Sequence, residues 1–261
     1  MIESAQNQTL KLYRSLEKRK NREELGVVPL EGARLIADAV GRGIVPQTVL
    51  LAAGREIADF PFLGQIADKA RFITVAEKLF AQTAFTESPQ GILAIVNQPV
   101  WTVPDLFAKE PAFLLVADGV QDPGNLGTML RSATAAGAGG AVLLPGTVDA
   151  ANPKALRAAM GAYFAIPTIQ WEPGRLLDEL KSRGIRLVTT AIESRTHYEQ
   201  YDWTMPVAVV IGNEGTGVSA MIAEAADTDV SVPMAGAMES LNAAVAMSVI
   251  FFEASRQRRI L

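Results

Sequence analysis

Asn125, Arg131, Glu214, Ser240 and Asn242 are polar residues set in three short, turn-forming segments of the C-terminal half. The segments are Asp122-Pro-Gly-Asn125-Leu-Gly-Thr-Met-Leu-Arg131, Ile211-Gly-Asn-Glu214-Gly-Thr-Gly217, and Val232-Pro-Met234 running on to Glu239-Ser-Leu-Asn242. Arg131 offers a permanently charged, planar donor, which suits a phosphate or a ribose oxyanion. Glu214 follows an apolar strand-like run, where a carboxylate is costly unless paired or functional. Arg131 and Asn125 are the partners expected for it. Ser240 precedes an apolar helical run and reads as its N-cap, with Asn242 at the second position. Gly124, Gly127, Gly212, Gly215 and Gly217 let the backbone turn sharply and come close to a ligand.

Several chemistries are disfavoured by what the chain lacks. No G-x-G-x-x-G follows the first strand of this half, and no Gly-Lys-Ser/Thr occurs, so a nucleotide-like ligand would be held by loop backbone rather than a phosphate cradle. The chain has no cysteine, which removes disulfides, thiolate catalysis and cysteine-ligated zinc. Its single histidine, His197, lies in a polar loop and argues against a histidine-rich metal site or a Ser-His-Asp triad.

The elements that must position these groups follow from hydrophobic periodicity. Residues 113–261 alternate apolar strand-like runs with helical patterns. Strands are predicted at Phe113–Ala117, Gly140–Leu144, Ile166–Gln170, Arg186–Thr190, Val207–Ile211 and Asp229–Val232. Helices are predicted at Gly127–Ala136, Lys154–Met160, Gly174–Ser182, Ser219–Ala225 and Leu241–Arg258. Near-continuous Val/Leu/Ile strands between helices imply a mainly parallel sheet covered on both faces. Ligands of such sheets sit beyond the strand carboxyl ends, where all three segments fall. Leu241–Phe252 is apolar almost all round, which points to burial against a second copy of itself.

Residues 1–100 read as a smaller α/β domain. An amphipathic helix from Asn7 to Arg22 is followed by a short element at Val27–Pro29 and a helix at Ala33–Val40. Short strands are expected at Thr48–Leu51, Arg71–Val75 and Gly91–Asn97, with helices at Phe62–Ala67 and Ala76–Phe80. Pro99 to Pro111 reads as a linker. The organisation expected is 1–99, a linker over 100–111, and 112–261.

The chain of 261 residues carries a net charge of −4. Residues 1–100 hold 12 Lys/Arg against 11 Asp/Glu, and the remainder 12 against 17, so the acidity is confined to the C-terminal part. Lys18, Arg19, Lys20 and Arg22 form a local basic cluster, which can serve RNA without raising the charge of the whole chain. A solvated helix end is the simpler reading of that cluster taken alone. The N-terminus lacks the apolar core of a signal peptide, and no run approaches the roughly 20 apolar residues of a membrane span. A soluble, cytoplasmic protein is expected.

With these residues in place, the chain resembles the SpoU (TrmH-like) branch of the SPOUT RNA methyltransferases. Asn125 to Arg131 looks like the family's first motif, and Ile211 to Gly217 like its second. Val232 to Asn242, with Phe252-Glu253 and Arg256-Gln257-Arg258, looks like the third. The first hundred residues, through Lys18–Arg22, Glu31-Gly32 and Ser88-Pro-Gln-Gly91, are similar to the ribosomal-protein-like substrate-binding domain of the rRNA members.

The resemblance implies an α/β-knot fold, a deep trefoil knot formed by the loops after Thr190, Ile211 and Val232. It implies S-adenosyl-L-methionine as cofactor, bound by Thr190, Gly212, Val232 and Leu241, with Gly212 leaving room for it. Arg131 would activate a ribose 2′-hydroxyl, often across a homodimer interface in the C-terminal domain. Asn125 would orient Arg131, and Glu214, Ser240 and Asn242 would complete the wall around the methyl acceptor. The substrate implied is RNA, most directly 23S rRNA, with no metal and no membrane. A tRNA 2′-O-ribose methyltransferase and a non-catalytic RNA-binding protein of the same fold are the alternatives.

Overall fold

The computed structural model describes residues 1–236 and 240–259. Its strands are β1 (Val27–Glu31), β2 (Thr48–Ala52), β3 (Arg71–Val75), β4 (Ile92–Asn97), β5 (Phe113–Asp118), β6 (Gly140–Leu143), β7 (Thr168–Gln170), β8 (Arg186–Thr190), β9 (Val207–Gly212) and β10 (Thr228–Val230). Its helices are α1 (Gln8–Ser15), α2 (Arg19–Leu25), α3 (Ala33–Gly41), α4 (Glu77–Thr83), α5 (Val103–Leu106), α6 (Pro123–Ala136), α7 (Pro153–Ala159), α8 (Pro173–Ser182), α9 (Ala220–Ala225) and α10 (Ala243–Arg258).

Two compact units emerge. The first joins Met1–Val100 to Ala151–Phe164, and the second joins Trp101–Ala150 to Ala165–Leu261. These differ from the expected boundaries in two places. The stretch read as a linker contains α5, whose Leu106 is fully buried in the core of the second unit. The segment carrying α7, expected with the C-terminal domain, clusters instead with the first hundred residues.

The first unit has a four-stranded sheet in the order β1-β4-β2-β3. Its β4 runs antiparallel to β1 and β2, while β3 runs parallel to β2. Leu10, Tyr13 and Leu16 bury against Leu50, Val75, Phe80 and Leu93. The single helix expected over Asn7–Arg22 is two. Its apolar spacing continues, but α1 ends after Ser15, and side chains from α2 cap the exposed carbonyls. Asn21 Nδ2 donates to Ser15 O, and Arg22 Nη1 donates to Leu16 O and Glu17 O at 2.6 and 2.7 Å. These bonds satisfy acceptors that a helix end otherwise leaves unpaired.

In the second unit six strands run parallel in the order β10-β8-β9-β5-β6-β7. Strand β5 is buried at every position, as a sheet covered on both faces requires. Leu114 and Val116 join Leu176 and Leu180 of α8 and Ile222 of α9 in one core. Phe113, pointing to the other face, packs its ring 4.5 Å from that of Phe251 on α10. From β5 the chain moves outward through β6 and β7, then crosses to β8 and returns to β9 beside β5. That reversal places a switch point between β5 and β9, where crevices form at strand carboxyl ends.

The far end of α10 is clamped by Arg258. Its guanidinium donates to the carbonyls of Trp203, Pro111, Ala112 and Met205 and lies over the Phe113 ring. Burial lowers its pKa from the ordinary value, while Asp202 acts the other way. Gln257 adds bonds to Trp203 N and Tyr201 O. Among the described residues no helix is long and apolar enough to cross a membrane, and no group of three acidic, histidine or cysteine side chains could hold a metal ion.

Candidate active site

The second motif is built by a residue that its neighbours overshadow in the sequence. Asn213 and Gly217 exchange backbone hydrogen bonds at 2.9 and 3.0 Å, closing a tight loop at the end of β9. The Asn213 side chain accepts from Gly215 N and Thr216 N and donates to Gly119 O at 2.8 Å, tying this loop to the end of β5. Its signal was an Asn directly after Gly212 in a glycine-rich turn, a residue type that bonds its own turn. Asp118 at the end of β5 is buried and accepts from Ser219 N at 2.7 Å, fixing the start of α9.

This loop carries Glu214, which joins the other two motifs. Its carboxylate accepts from Asn125 Nδ2 at 2.8 Å and from the amides of Gln121 and Asp122 at 3.3 and 3.5 Å. Of the two expected partners, Asn125 is the one it meets. Partial burial pushes the Glu214 carboxyl up, but the bonds from Asn125 and from backbone amides outweigh it, leaving the pKa below the ordinary value. Asn125 Oδ1 in turn accepts from Asn242 Nδ2 at 3.0 Å. Glu214, Asn125 and Asn242 therefore form one polar chain across segments far apart in sequence.

Helix α6 begins at Pro123, a turn before the expected Gly127. Asp122 caps it by accepting from Asn125 N at 2.8 Å, and Pro123 occupies the first helical position. Asn125 thus sits in the first turn and Arg131 further along the same helix. Arg131 is exposed and has no hydrogen-bond or ion-pair partner among the described residues. The last helix also differs from expectation. Asn242, not Ser240, is the N-cap of α10, accepting from Ala244 N at 2.9 Å and Val245 N at 3.3 Å. Ser240 is left exposed ahead of the helix, and Glu239 lies outside the described residues.

Next to this chain lies a pocket of about 320 Å³, walled by Thr190, Gly212, Val232, Ser240, Leu241 and Asn242 together with Ile211, Met234 and Ile250. Thr190 spends its hydroxyl on Val210 O at 3.1 Å, leaving mainly apolar atoms and backbone for a ligand. Gly212 lines this pocket and also serves the loop itself. A Cβ there would collide with the backbone of Gly217 and Val218, so glycine is required to close the loop.

The basic cluster Lys18–Arg22 differs from its expected role in part. Arg22 is buried and caps α1, and Arg19 pairs with Glu23 at 2.6 Å. Lys18 and Lys20 are exposed. Arg258, one of the basic residues of the third segment, is likewise structural. Trp171 and Trp203 are buried packing residues.

Residues 112–252 match the model of the SpoU rRNA methylase family, and residues 7–94 match an MRM3-like substrate binding domain. A Bacillus subtilis protein named 23S rRNA (guanosine(2553)-2′-O)-methyltransferase RlmP is 36% identical over 96% of this chain and 97% of its own length. The structure of AviRb from Streptomyces viridochromogenes, a SpoU methyltransferase in complex with AdoMet, superposes with a TM-score of 0.87 at 30% identity. It covers 97% of this chain and 99% of AviRb. An AdoMet-bound rRNA methyltransferase from Sinorhizobium meliloti superposes at 0.86, with 30% identity over 98% of this chain and 97% of that one. With a match spanning more than half its length and whole-chain similarity to such enzymes, this chain belongs to the SpoU rRNA methylase family.

Proposed function

We propose that the protein transfers the methyl group of S-adenosylmethionine to a ribose 2′-hydroxyl of RNA, with 23S rRNA as substrate. The observation that carries this reading is the polar chain Glu214–Asn125–Asn242 standing beside an apolar, backbone-lined pocket. The pocket fits the cofactor in kind. Its volume of about 320 Å³ falls in the range of small-ligand sites, and its walls suit an adenosyl group without phosphate. Thr190, Gly212, Val232 and Leu241 would hold it. When bound, S-adenosylmethionine supplies an electrophilic methyl group.

The chain's own residues must make a poor nucleophile reactive. Arg131, charged and unengaged, favours loss of the hydroxyl proton to water by stabilising the developing oxyanion and the neighbouring phosphate. A guanidinium this basic is an electrostatic aid rather than a proton acceptor. Glu214 has its carboxylate committed to Asn125 and two amides, so its part is to hold Asn125 in place. Asn125 and Asn242 then fix the polar wall, and Ser240 stands exposed at the pocket for a contact to the ribose.

The homodimer and the knot belong to the same proposal. Helix α10 buries Ala244, Met247, Ile250, Phe251 and Ala254, yet Val245 and Phe252 remain about half exposed with Val249 between them. An apolar stripe of this kind supports packing against a second copy. The knot would thread the loops after Thr190, Ile211 and Val232, whose residues all line the one pocket. The domain roles follow, with the first unit gripping RNA and the second carrying the chemistry. The substrate-binding match over residues 7–94 favours rRNA over tRNA.

Titration calorimetry with S-adenosylmethionine, followed by methyl transfer to 23S rRNA and to tRNA, tests this reading. Saturable cofactor binding with label at a 2′-hydroxyl of 23S rRNA is expected. Absence of cofactor binding would sink the enzyme; label in tRNA alone would reassign the substrate.

A further inference from the structure

We infer that a cleft in the first unit seats one unstacked nucleotide of the RNA substrate, its phosphate on Arg34 and Arg157 and its base against Phe85 and Met160. The inference rests on the RNA-methylating reading above and adds a substrate contact to it. All walls of the cleft belong to the first unit, and its volume is about 540 Å³, within the range of small-ligand sites. Two segments that the chemistry of methyl transfer leaves unused, Glu31-Gly32 and Ser88-Pro-Gln-Gly91, form it together.

The lips are held by bonds that leave Arg34 without a partner among the described residues and Arg157 with only a long ion pair to Glu31. Glu31 is buried, and its carboxylate accepts from Phe85 N at 2.8 Å, Thr86 N at 3.1 Å and the Thr86 hydroxyl. Gln90 Oε1 accepts from Ala33 N at 2.9 Å, and Gly32 turns there with φ of 99°. The acidic group is thus consumed by the loop it organises. Arg34, by contrast, is exposed in the first turn of α3 with no partner among the described residues. Arg157 Nη1 is buried without a hydrogen bond, 3.9 Å from Glu31 Oε2 and so beyond donating distance. Two guanidinium groups at one opening, one beside a helix N-terminus, call for an anion.

The remaining walls suit a base. The Phe85 ring is fixed by stacking on Tyr13 at 5.1 Å, and Met160 adds a flexible thioether. Met160 is the one non-glycine residue among those described with positive φ, 49°, a conformation that costs free energy and collects at functional sites. Glu87 on the exposed rim offers an acceptor to base-edge donors. Sequence-selective RNA binding proceeds through splayed bases held in this manner. The expected alternative, the Lys18–Arg22 cluster, has two of its four cations committed within the fold.

The test uses the full-length protein, transcribed 23S rRNA and the variants Arg34→Ala and Ser88→Trp, both at exposed positions, with Lys69→Ala outside the cleft as control. Arg34→Ala is expected to weaken RNA binding about fivefold to tenfold and to reduce the slope of log K against log salt by roughly 0.7–0.9. Ser88→Trp should weaken binding with the slope unchanged, by filling the cleft. Affinity for S-adenosylmethionine should stay as in the parent for all three. Unchanged RNA affinity in both cleft variants, with the parent still methylating rRNA, would overturn the inference and leave the proposed function standing. An equal loss in Lys69→Ala would reduce the effect to general charge and overturn it too. If adenosine 5′-monophosphate binds the parent and not Ser88→Trp while RNA affinity is the same in both, the cleft serves a free nucleotide instead. A parent that binds cofactor but neither binds nor methylates RNA defeats both readings.

Discussion

Arg131 and Glu214 have opposite relations to their surroundings, and this separates their expected behaviour. Arg131 is exposed and unengaged among the described residues, so its removal costs little structure. Arg131→Ala is expected to abolish methyl transfer while calorimetry returns the parent's affinity for S-adenosylmethionine; an active variant would remove the assigned role. Glu214 is engaged by three donors, and its carboxyl is held below its ordinary value. A carboxyl depressed on folding adds stability that is fully present above its unfolded pKa of about 4.3. That stability is lost as pH falls through the lower folded value. Glu214→Gln should therefore be less stable than the parent to urea at pH 7, with the deficit shrinking toward about pH 2. A deficit equal at both pH values would contradict the linkage. Both residues were legible as site candidates from their motifs. That Glu214 bonds Asn125 rather than Arg131 was not, because the sequence brings both donors within the same set.

At the scale of elements, the strands of the parallel sheet were legible because continuous apolar runs have few other uses. Strand β8 begins and ends where its pattern does, at Arg186 and Thr190. Helix ends were less so. The start of α6 at Pro123 depends on an Asp122 cap that precedes the apolar period, and the start of α10 depends on Asn242 in place of Ser240. The break between α1 and α2 left no mark on the apolar spacing, since Leu16 is buried on either reading. The other end of α10 gives a direct test. Arg258 donates to four carbonyls, so Arg258→Ala should lower stability by about 2–3 kcal/mol through acceptors left unpaired. Arg259→Ala, at an exposed position, should stay within about 0.5 kcal/mol. Urea unfolding of the two variants measures the difference; equal losses would deny the clamp.

At the scale of the whole molecule, the half-exposed Val245 and Phe252 on α10 leave an apolar stripe that a second copy would cover. Light scattering is expected to report a dimer for the parent, and Phe252→Glu should shift it to monomer by placing a charge in that contact. A parent that scatters as a monomer at micromolar concentration would contradict the homodimer. The discontinuity of the two units also belongs to this scale. The segment Ala151–Phe164 clusters with the first hundred residues although β6 and β7 flank it in the chain. Local pattern cannot show such clustering, because the period of a helix reports that one face is buried and not what buries it.

Local chemistry, by itself, determined the parallel α/β class, the strand ends that carry the three motifs, and the residue types available for methyl transfer. It did so because strand burial and turn-forming residues are properties of a few consecutive positions. Tertiary structure decided which polar groups meet, that Gly212 serves loop closure, that Arg22 and Arg258 are spent on carbonyls, and that Arg34 and Arg157 open on one cleft. These are matters of distance between residues far apart in the chain. A hydrogen bond is made or missed within a few tenths of an ångström.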